Sequence, residues 1–358
     1  MTLSEKLNIK QFLAKAKSLP VIDVRSPAEY ERGHIPGAVN IPVFDNDERA
    51  QVGTMYKHAG RDKAILLGLK IVEPKLAWFV KEVKNIAPEK KVLIHCWRGG
   101  MRSEKFSEFL EKAGFETYTL ERGYKAYRNF ILECLEQEAN ILILGGMTGS
   151  GKTEVLQYLA KSGHQVIDLE EIANHKGSAF GHMGQQPQPT TEQFHNNLSI
   201  AWQKFDLNKT IWIEDESQAI GTVRIPEPLF LQMRKSPVIK MELSREIRAK
   251  RLVREYAMFD KPQLKKVILK IEKRLGGLNT NNALNALEKN DFQAIADITL
   301  IYYDKAYNFG LSKRVPDSVF PIRLEKDDPY QNARFIEQFV NETNTIQSRS
   351  RLRLQNIT

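Results

Sequence analysis

The sequence predicts an α/β protein with two parallel-sheet units in tandem. Short apolar strands alternate with helix-forming stretches, the alternation restarts near Asn140 after a glycine-rich turn, and 358 residues exceed the roughly 150 expected of one domain. In the first unit PVIDV reads as a strand, PAEYERG as a helix, and a long loop leads to a helix over residues 72–83. KKVLIHC, RSEKFSEFLEKAG, ETYTL and YKAYRNFILECLEQE follow as strand, helix, strand and helix. The second unit opens with the strand ILILGG and the helix GKTEVLQYLAKSG, with further strands at HQVIDL, TIWIED and VIKMEL. Charged helices over 244–275 and a helical region toward Asn341 complete it, and NTIQSRSRLRLQNIT is a basic tail without an apolar stripe. The expected divisions are therefore residues 1–138, 139–300 and a C-terminal extension at 301–358.

With 42% apolar and 27% charged residues, the composition excludes a disordered, collagenous or coiled-coil chain. No apolar run approaches a membrane span, and the opening MTLSEKLNIKQF lacks the pattern of a secretory signal, so a cytoplasmic protein without membrane contact is expected. Cys96 and Cys134 alone support neither a disulfide framework nor a four-thiolate metal site. The net charge of +9 is concentrated: residues 51–100 hold ten basic against four acidic groups, and residues 241–285 eleven against five. Two such stretches suit a phosphate-rich partner or simply two solvated helix faces.

Cys96 follows a strand and precedes Trp97, Arg98, Gly99, Gly100, Met101, Arg102 and Ser103, the last opening a helix. A loop between strand end and helix start turns its N–H groups inward, which cradles an anion and stabilises a thiolate. Arg98 and Arg102 add positive charge, and the glycines permit backbone angles closed to other residues. Cys134, beside Ile131 and Leu135 on a helix, reads as packing.

GMTGSGKT satisfies G-x-x-x-x-G-K-T between a strand and a helix. Gly146, Gly149 and Gly151 let the chain wrap phosphate oxygens, Lys152 meets the terminal phosphates, and Thr153 holds Mg²⁺. In TIWIEDES, Glu214, Asp215 and Glu216 follow a strand, and Asp215 is the expected second metal ligand. Arg245, Arg248 and Arg251 share a helix face by three-residue spacing and could contact phosphate or RNA. His175, Ser178, Phe180 and Gly181, with QQPQPTTEQF, form a loop expected on the P-loop side.

VIDVRSPAEYERGHIPGAVNIP, with Asp23, Arg25, Glu29, His34, Pro36, Gly37, Ala38 and Asn40, resembles the opening of a rhodanese domain, and ERGYKAYR resembles its closing motif. The resemblance implies a cysteine that carries sulfur or selenium. The loop H-C-x-x-x-x-x-R-S is one residue longer than the commonest rhodanese loop, a length shared with cysteine phosphatases, so phosphatase chemistry stays open.

The chain from Val21 to Gly277 resembles the tRNA 2-selenouridine synthase family. The matching segments, in order, are DERAQVGTMYKHAGRDKAILLG, HCWRGGMRS, GGMTGSGKT, HKGSAFG with PQPT, IEDESQAIGTVRIPEPL, REY and KRLGG. This resemblance implies a rhodanese-like domain before a P-loop NTPase-like domain, and a transferase acting on wobble 2-thiouridine in the tRNA anticodon loop. It implies selenophosphate and geranyl diphosphate as co-substrates, with a selenophosphate supplier as partner. Cys96, with Arg98 and Arg102, would handle selenium, and Gly146, Gly149, Gly151, Lys152 and Thr153 would bind a diphosphate, of geranyl diphosphate or ATP, with Mg²⁺ at Thr153 and Asp215. Trp97 would stack on the splayed base or pack as a lid. The competing readings are a rhodanese-type sulfurtransferase or a cysteine phosphatase coupled to an ATP-binding P-loop domain, and an RNA-binding protein with an idle rhodanese domain.

Overall fold

A computed structural model describes residues 5–315 and 317–343, and the expected basic tail lies outside the described residues. The chain divides into two compact units between Cys134 and Leu135, with His195–Asn197 grouped with the first.

The first unit holds a five-stranded parallel sheet in the order Glu5–Leu7, Glu116–Leu120, Lys91–His95, Val21–Asp23, Val39–Asn40. Its central strands are apolar on both faces because helices cover both sides, as parallel sheets require. Alternation sends Val92 and Ile94 to one face, packed with Phe106 and Leu110 of the helix Met101–Lys112. Leu93 goes to the other face, with Tyr124, Tyr127 and Ile131 of the helix Gly123–Glu136.

The expected long loop is instead helical. Asn46–Ala59 and Arg61–Val72 are separate helices broken at Gly60, whose φ is +89°. Asp45 starts the first: its side chain accepts from Glu48 N at 2.8 Å, and Glu48 returns a bond to Asp45 N at 2.9 Å. No residue of Asn46–Ala59 is buried, so no apolar periodicity marks that helix. The helix expected at 72–83 runs Leu76–Ile86.

The second unit holds another five-stranded parallel sheet, ordered Val319–Arg323, Val238–Glu242, Ile141–Gly146, Ile211–Glu214, Gln165–Ile167. Leu156 and Leu159 of Lys152–Lys161 and Ile336 and Val340 of Pro329–Glu342 pack onto it. The expected division at residue 300 falls inside the helix Phe292–Leu311, and Val319–Arg323 joins the sheet where only helix was expected. Pro321 disguises this strand, and the sheet tolerates it because an edge strand need not donate every N–H. Residues 301–343 are thus built into the second unit. A helical layer of Arg245–Tyr256, Lys261–Lys270, Gly277–Glu288 and Phe292–Leu311 has its own core of Leu264, Ile268, Ala283, Leu287 and Ile295. No described helix is long and apolar enough to cross a membrane.

Candidate functional site

In the first unit, the strand Lys91–His95 delivers Cys96 into a loop that ends at the helix Met101–Lys112. The loop is pinned through its carbonyls. Tyr124 N donates to Cys96 O at 2.8 Å and Lys125 N to Trp97 O at 3.0 Å, so the start of a second helix holds the loop's acceptors. Gly99 and Gly123, with φ of +63° and +58°, make this approach feasible: a Cβ on Gly99 would lie 2.5 Å from Leu120 O, and one on Gly123 2.3 Å from Cys96 O. With the carbonyls taken, none of the N–H groups from Trp97 to Ser103 has an acceptor among the described residues. That is an anion cradle of backbone dipoles at a helix start.

Cys96 is buried within the cradle, its Sγ 3.2 Å from the Ser103 hydroxyl and 3.9 Å from Gly100 O. Arg98 is exposed. Arg102 is tied to Glu29 by bonds of 2.7 and 3.2 Å, and Glu29 also accepts from Ser26 N at 3.1 Å. Burial would raise the Glu29 carboxyl, but Arg102, Ser26 and Arg49 reverse this and hold it below its ordinary value. Beneath the loop, Arg25 grips Asp23 through Nη2 at 2.6 Å and Nε at 3.0 Å, with its guanidinium 3.9 Å over the Tyr124 ring. Burial opposes the Asp23 charge, but the hydrogen-bonded Arg25 outweighs it and holds the carboxyl below its ordinary value, while burial pushes the neighbouring His95 down. Trp97 packs against Tyr124, ring centres 5.7 Å apart, so one of its faces already serves the domain core.

In the second unit, the strand Ile141–Gly146 and the helix Lys152–Lys161 flank the P-loop. Gly149 and Gly151 take φ of +79° and +77°, and a Cβ on Gly149 would lie 2.9 Å from Arg248 O. The N–H groups of Gly149, Gly151, Lys152 and Thr153 have no acceptor among the described residues. Lys152 Nζ crosses the loop to Gly146 O at 3.1 Å, and Thr153 Oγ1 donates to Glu170 at 3.1 Å.

Glu170, Glu214 and Glu216 place one carboxylate oxygen each within 4.8 Å of one another. Glu170 N donates to Glu214 at 2.7 Å, and Glu214 Oε2 and Asp168 Oδ2 are buried without partners. Burial and then the neighbouring carboxylates push Glu214 well above the carboxylate range. Burial and Glu170 push Glu216 up to about 8 against the opposing pull of Lys152. Asp168 rises to about 6, chiefly through burial. Hard oxygen donors beside a threonine hydroxyl, two of them orphaned, fit a divalent cation that would replace the protons.

Asp215, the expected ligand, is not part of this cluster. The strand ends at Glu214 and Glu216 N turns back to Glu214 O at 3.0 Å, which leaves Glu214 and Glu216 with Glu170 while Asp215 turns away to Arg314 at 2.5 Å. The arginine face is also corrected. Its spacing is helical as expected, but Arg248 and Arg251 are buried. Arg248 forms two bonds of 2.8 Å to Asp304 and one of 3.1 Å to Thr148 O. Arg251 is held by Asp327 at 2.6 Å, Glu255 at 3.0 Å and Glu154. These two brace the P-loop and offer nothing free to RNA; Arg245 lies partly exposed beside Asp297. The 175–181 loop does approach the site: a Cβ on Gly177 would lie 2.7 Å from Glu170 Oε1. Sequence reasoning missed Ser103 as the sulfur's partner, Glu29 as the anchor of Arg102 as observed, and Glu170, whose only sequence signal is its place just past the strand end HQVID.

A cysteine cradle on one parallel sheet and a P-loop with buried carboxylates on another define a two-unit enzyme of the rhodanese-plus-P-loop class. Residues 8–130 match the rhodanese-like domain, and residues 139–326 match the tRNA 2-selenouridine synthase AAA domain. The chain is 34% identical over 341 residues to the tRNA 2-selenouridine synthase of Shewanella frigidimarina (strain NCIMB 400), covering 84% of this chain and 91% of that protein. It is 33% identical over 349 residues to that of Bdellovibrio bacteriovorus, covering 83% and 90%. The chain belongs to the tRNA 2-selenouridine synthase family.

Proposed function

We propose that the chain converts wobble 2-thiouridine of tRNA into 2-selenouridine in two steps divided between its loops, in the cytoplasm. At the P-loop, the thiouridine sulfur attacks the allylic carbon of geranyl diphosphate, and the ring gives up its N3 proton to the departing diphosphate. The C–O bond breaks and diphosphate leaves with the electron pair, held by Lys152 and the N–H groups of Gly149, Gly151 and Thr153. A divalent cation held by Thr153, Glu170, Glu214 and Glu216 would supply further charge for the diphosphate.

At the cysteine loop, the cradle takes the phosphoryl end of selenophosphate. Selenium adds to carbon 2 of the modified uracil ring, and the geranylated sulfur, a better leaving group than a thiocarbonyl sulfur, departs as thiolate. Cys96 Sγ then forms a bond to phosphorus, its proton passing to the geranyl thiolate, and the Se–P bond breaks toward selenium. Water finally frees phosphate from Cys96. A wobble base sits in a single-stranded loop and can be splayed into a pocket, and the basic stretches 51–100 and 241–285 are the proposed backbone contacts. A selenophosphate-producing enzyme is the proposed supplier.

The observation that carries this reading is the unpaired run of N–H groups around a buried cysteine, which fits a tetrahedral oxyanion. Nucleoside mass spectrometry on 2-thiouridine tRNA, with selenophosphate and with or without geranyl diphosphate, tests it. The expected result is 2-selenouridine when both are present and S-geranyl-2-thiouridine with geranyl diphosphate alone. Unchanged nucleosides together with Cys96-dependent cleavage of an aryl phosphate would overturn it in favour of a phosphatase. Cys96-dependent turnover of thiosulfate would do so in favour of a sulfurtransferase.

A further inference from the structure

The basic excess of residues 241–285 is divided between unlike helices. On Arg245–Tyr256 every cation already faces an acid: Arg245 meets Asp297, Arg248 meets Asp304, Lys250 meets Glu246, and Arg251 and Arg254 meet Asp327. Residues 261–275 instead carry six basic groups against the single acid Glu272. Lys261 is taken by Glu288 O and Arg274 by the Tyr302 hydroxyl. Lys265, Lys266, Lys270 and Lys273 are exposed and have no ion pair or hydrogen bond among the described residues.

Three of these four share a side. Leu264, Val267, Ile268, Ile271 and Leu275 are buried along the helices Lys261–Lys270 and Glu272–Leu275, so steps of four and three residues bring Lys266, Lys270 and Lys273 together on the opposite, solvent side. The buried side packs on the 175–184 loop through Phe180 and Met183, and Gly177 of that loop abuts Glu170 of the carboxylate cluster. Lys270 also acts on this loop: burial, then His182 and Lys270, push the His175 ring below its ordinary value. Unpaired lysines gain by counterion release when they meet a polyanion, whereas the neighbouring arginines would first have to give up their carboxylates. We propose that Lys266, Lys270 and Lys273 form the docking face for the sugar–phosphate backbone of tRNA, with only the 175–184 loop between them and the P-loop carboxylates. The inference rests on the proposed reading of residues 241–285 as an RNA contact, and it narrows that contact to one helix face and removes the arginine helix from it.

Fluorescence anisotropy of a labelled tRNA bearing wobble 2-thiouridine, titrated with the full chain at several salt concentrations, tests this without any selenium or prenyl donor. Changing Lys266, Lys270 and Lys273 together to Gln should lower the slope of log affinity against log salt by about 2–3, because each phosphate contact carries about 0.7–0.9, and should weaken binding roughly 30-fold or more near physiological salt. The same three residues changed to Arg should keep wild-type slope and affinity within a few-fold, since the charge is retained. A control with Lys161→Gln, Lys209→Gln and Lys250→Gln, three exposed lysines on other elements, removes the same charge and should stay within about twofold of wild type. Thermal melting checks each fold; should the triple Gln variant fail to fold, Lys270→Gln alone should lower the slope by about 0.7–0.9.

A Gln variant with wild-type slope and affinity overturns the docking face. An equal loss in the control does so too, because binding then follows net charge and not this helix. Wild type without salt-dependent tRNA binding instead removes the RNA reading on which the face stands.

Discussion

The two loops solve one physical problem in two ways. Each lies between a parallel strand and a helix, each uses positive-φ glycines, and each leaves a run of N–H groups without acceptors among the described residues. They differ in what stands beside the cradle. The first places a buried sulfur against Ser103, with its carbonyls gripped by a neighbouring helix and Arg102 balanced by Glu29. The second places Lys152 and Thr153 against four carboxylates whose charges repel one another. Backbone geometry thus gives both loops an anion cradle, and in the proposed reading the side chains decide between covalent attack and holding a metal-bound diphosphate.

The sharpest break between them comes from Cys96→Ser. Selenation should fall by roughly 10³-fold or more, since the hydroxyl is a far weaker nucleophile, while geranylation stays within about twofold. Nucleoside mass spectrometry reads both products.

The adjacent glycines of the first loop come next. Gly99→Ala should destabilise the protein by about 2–4 kcal/mol, because φ is +63° and the new methyl would meet Leu120 O. Gly100→Ala, where a Cβ meets nothing within 4 Å, should change stability by no more than about 1 kcal/mol. Urea denaturation compares the pair, and equal effects would contradict the pinned-loop account. Arg102→Ala should lose about 1–3 kcal/mol by leaving the mostly buried Glu29 without its main partner, whereas Arg98→Ala, on an exposed residue, should be neutral in the same assay.

The smallest effect belongs to the second loop and is a matter of pH. Glu216 titrates near 8 in the folded chain against 4.5 ordinarily, so its contribution favours folding at low pH and is lost as pH rises through 8. A bound cation favours the ionised form and reverses this. MgCl₂ against EDTA should therefore raise Tm by a few degrees at pH 8.5 and by less at pH 6. Glu216→Gln should flatten the difference and Asp215→Asn should leave it, because Asp215 faces Arg314. A Mg²⁺ shift that disappears in Asp215→Asn and survives in Glu216→Gln would restore the ligand expected from sequence.

The inner strands and both glycine loops were legible because apolar runs, glycine spacing and a chemically distinctive residue coincide there, whereas the short edge strands Glu5–Leu7 and Val39–Asn40 carry no such run. What escaped was information carried by burial. Asn46–Ala59 buries nothing, so its helix has no periodic signature, and Pro321 conceals an edge strand. Arg248 and Arg251 have the spacing of an exposed basic face, yet Asp304 and Asp327, more than fifty residues away in sequence, turn them inward. Glu170 lies 44 residues before Glu214, and only the fold brings their carboxylates together. Asp215 falls outside the cluster, and no sequence rule tells which of three consecutive acids faces it.

The central claim is that the two cradles perform separable steps, and tRNA already carrying S-geranyl-2-thiouridine tests it most directly. Supplied with that RNA and selenophosphate, Lys152→Ala should form 2-selenouridine at a rate within a few-fold of wild type, while Cys96→Ser should form none. If Lys152→Ala remains inactive on the pre-geranylated RNA while its fold is intact, the P-loop is needed beyond geranyl transfer and the division of labour is wrong.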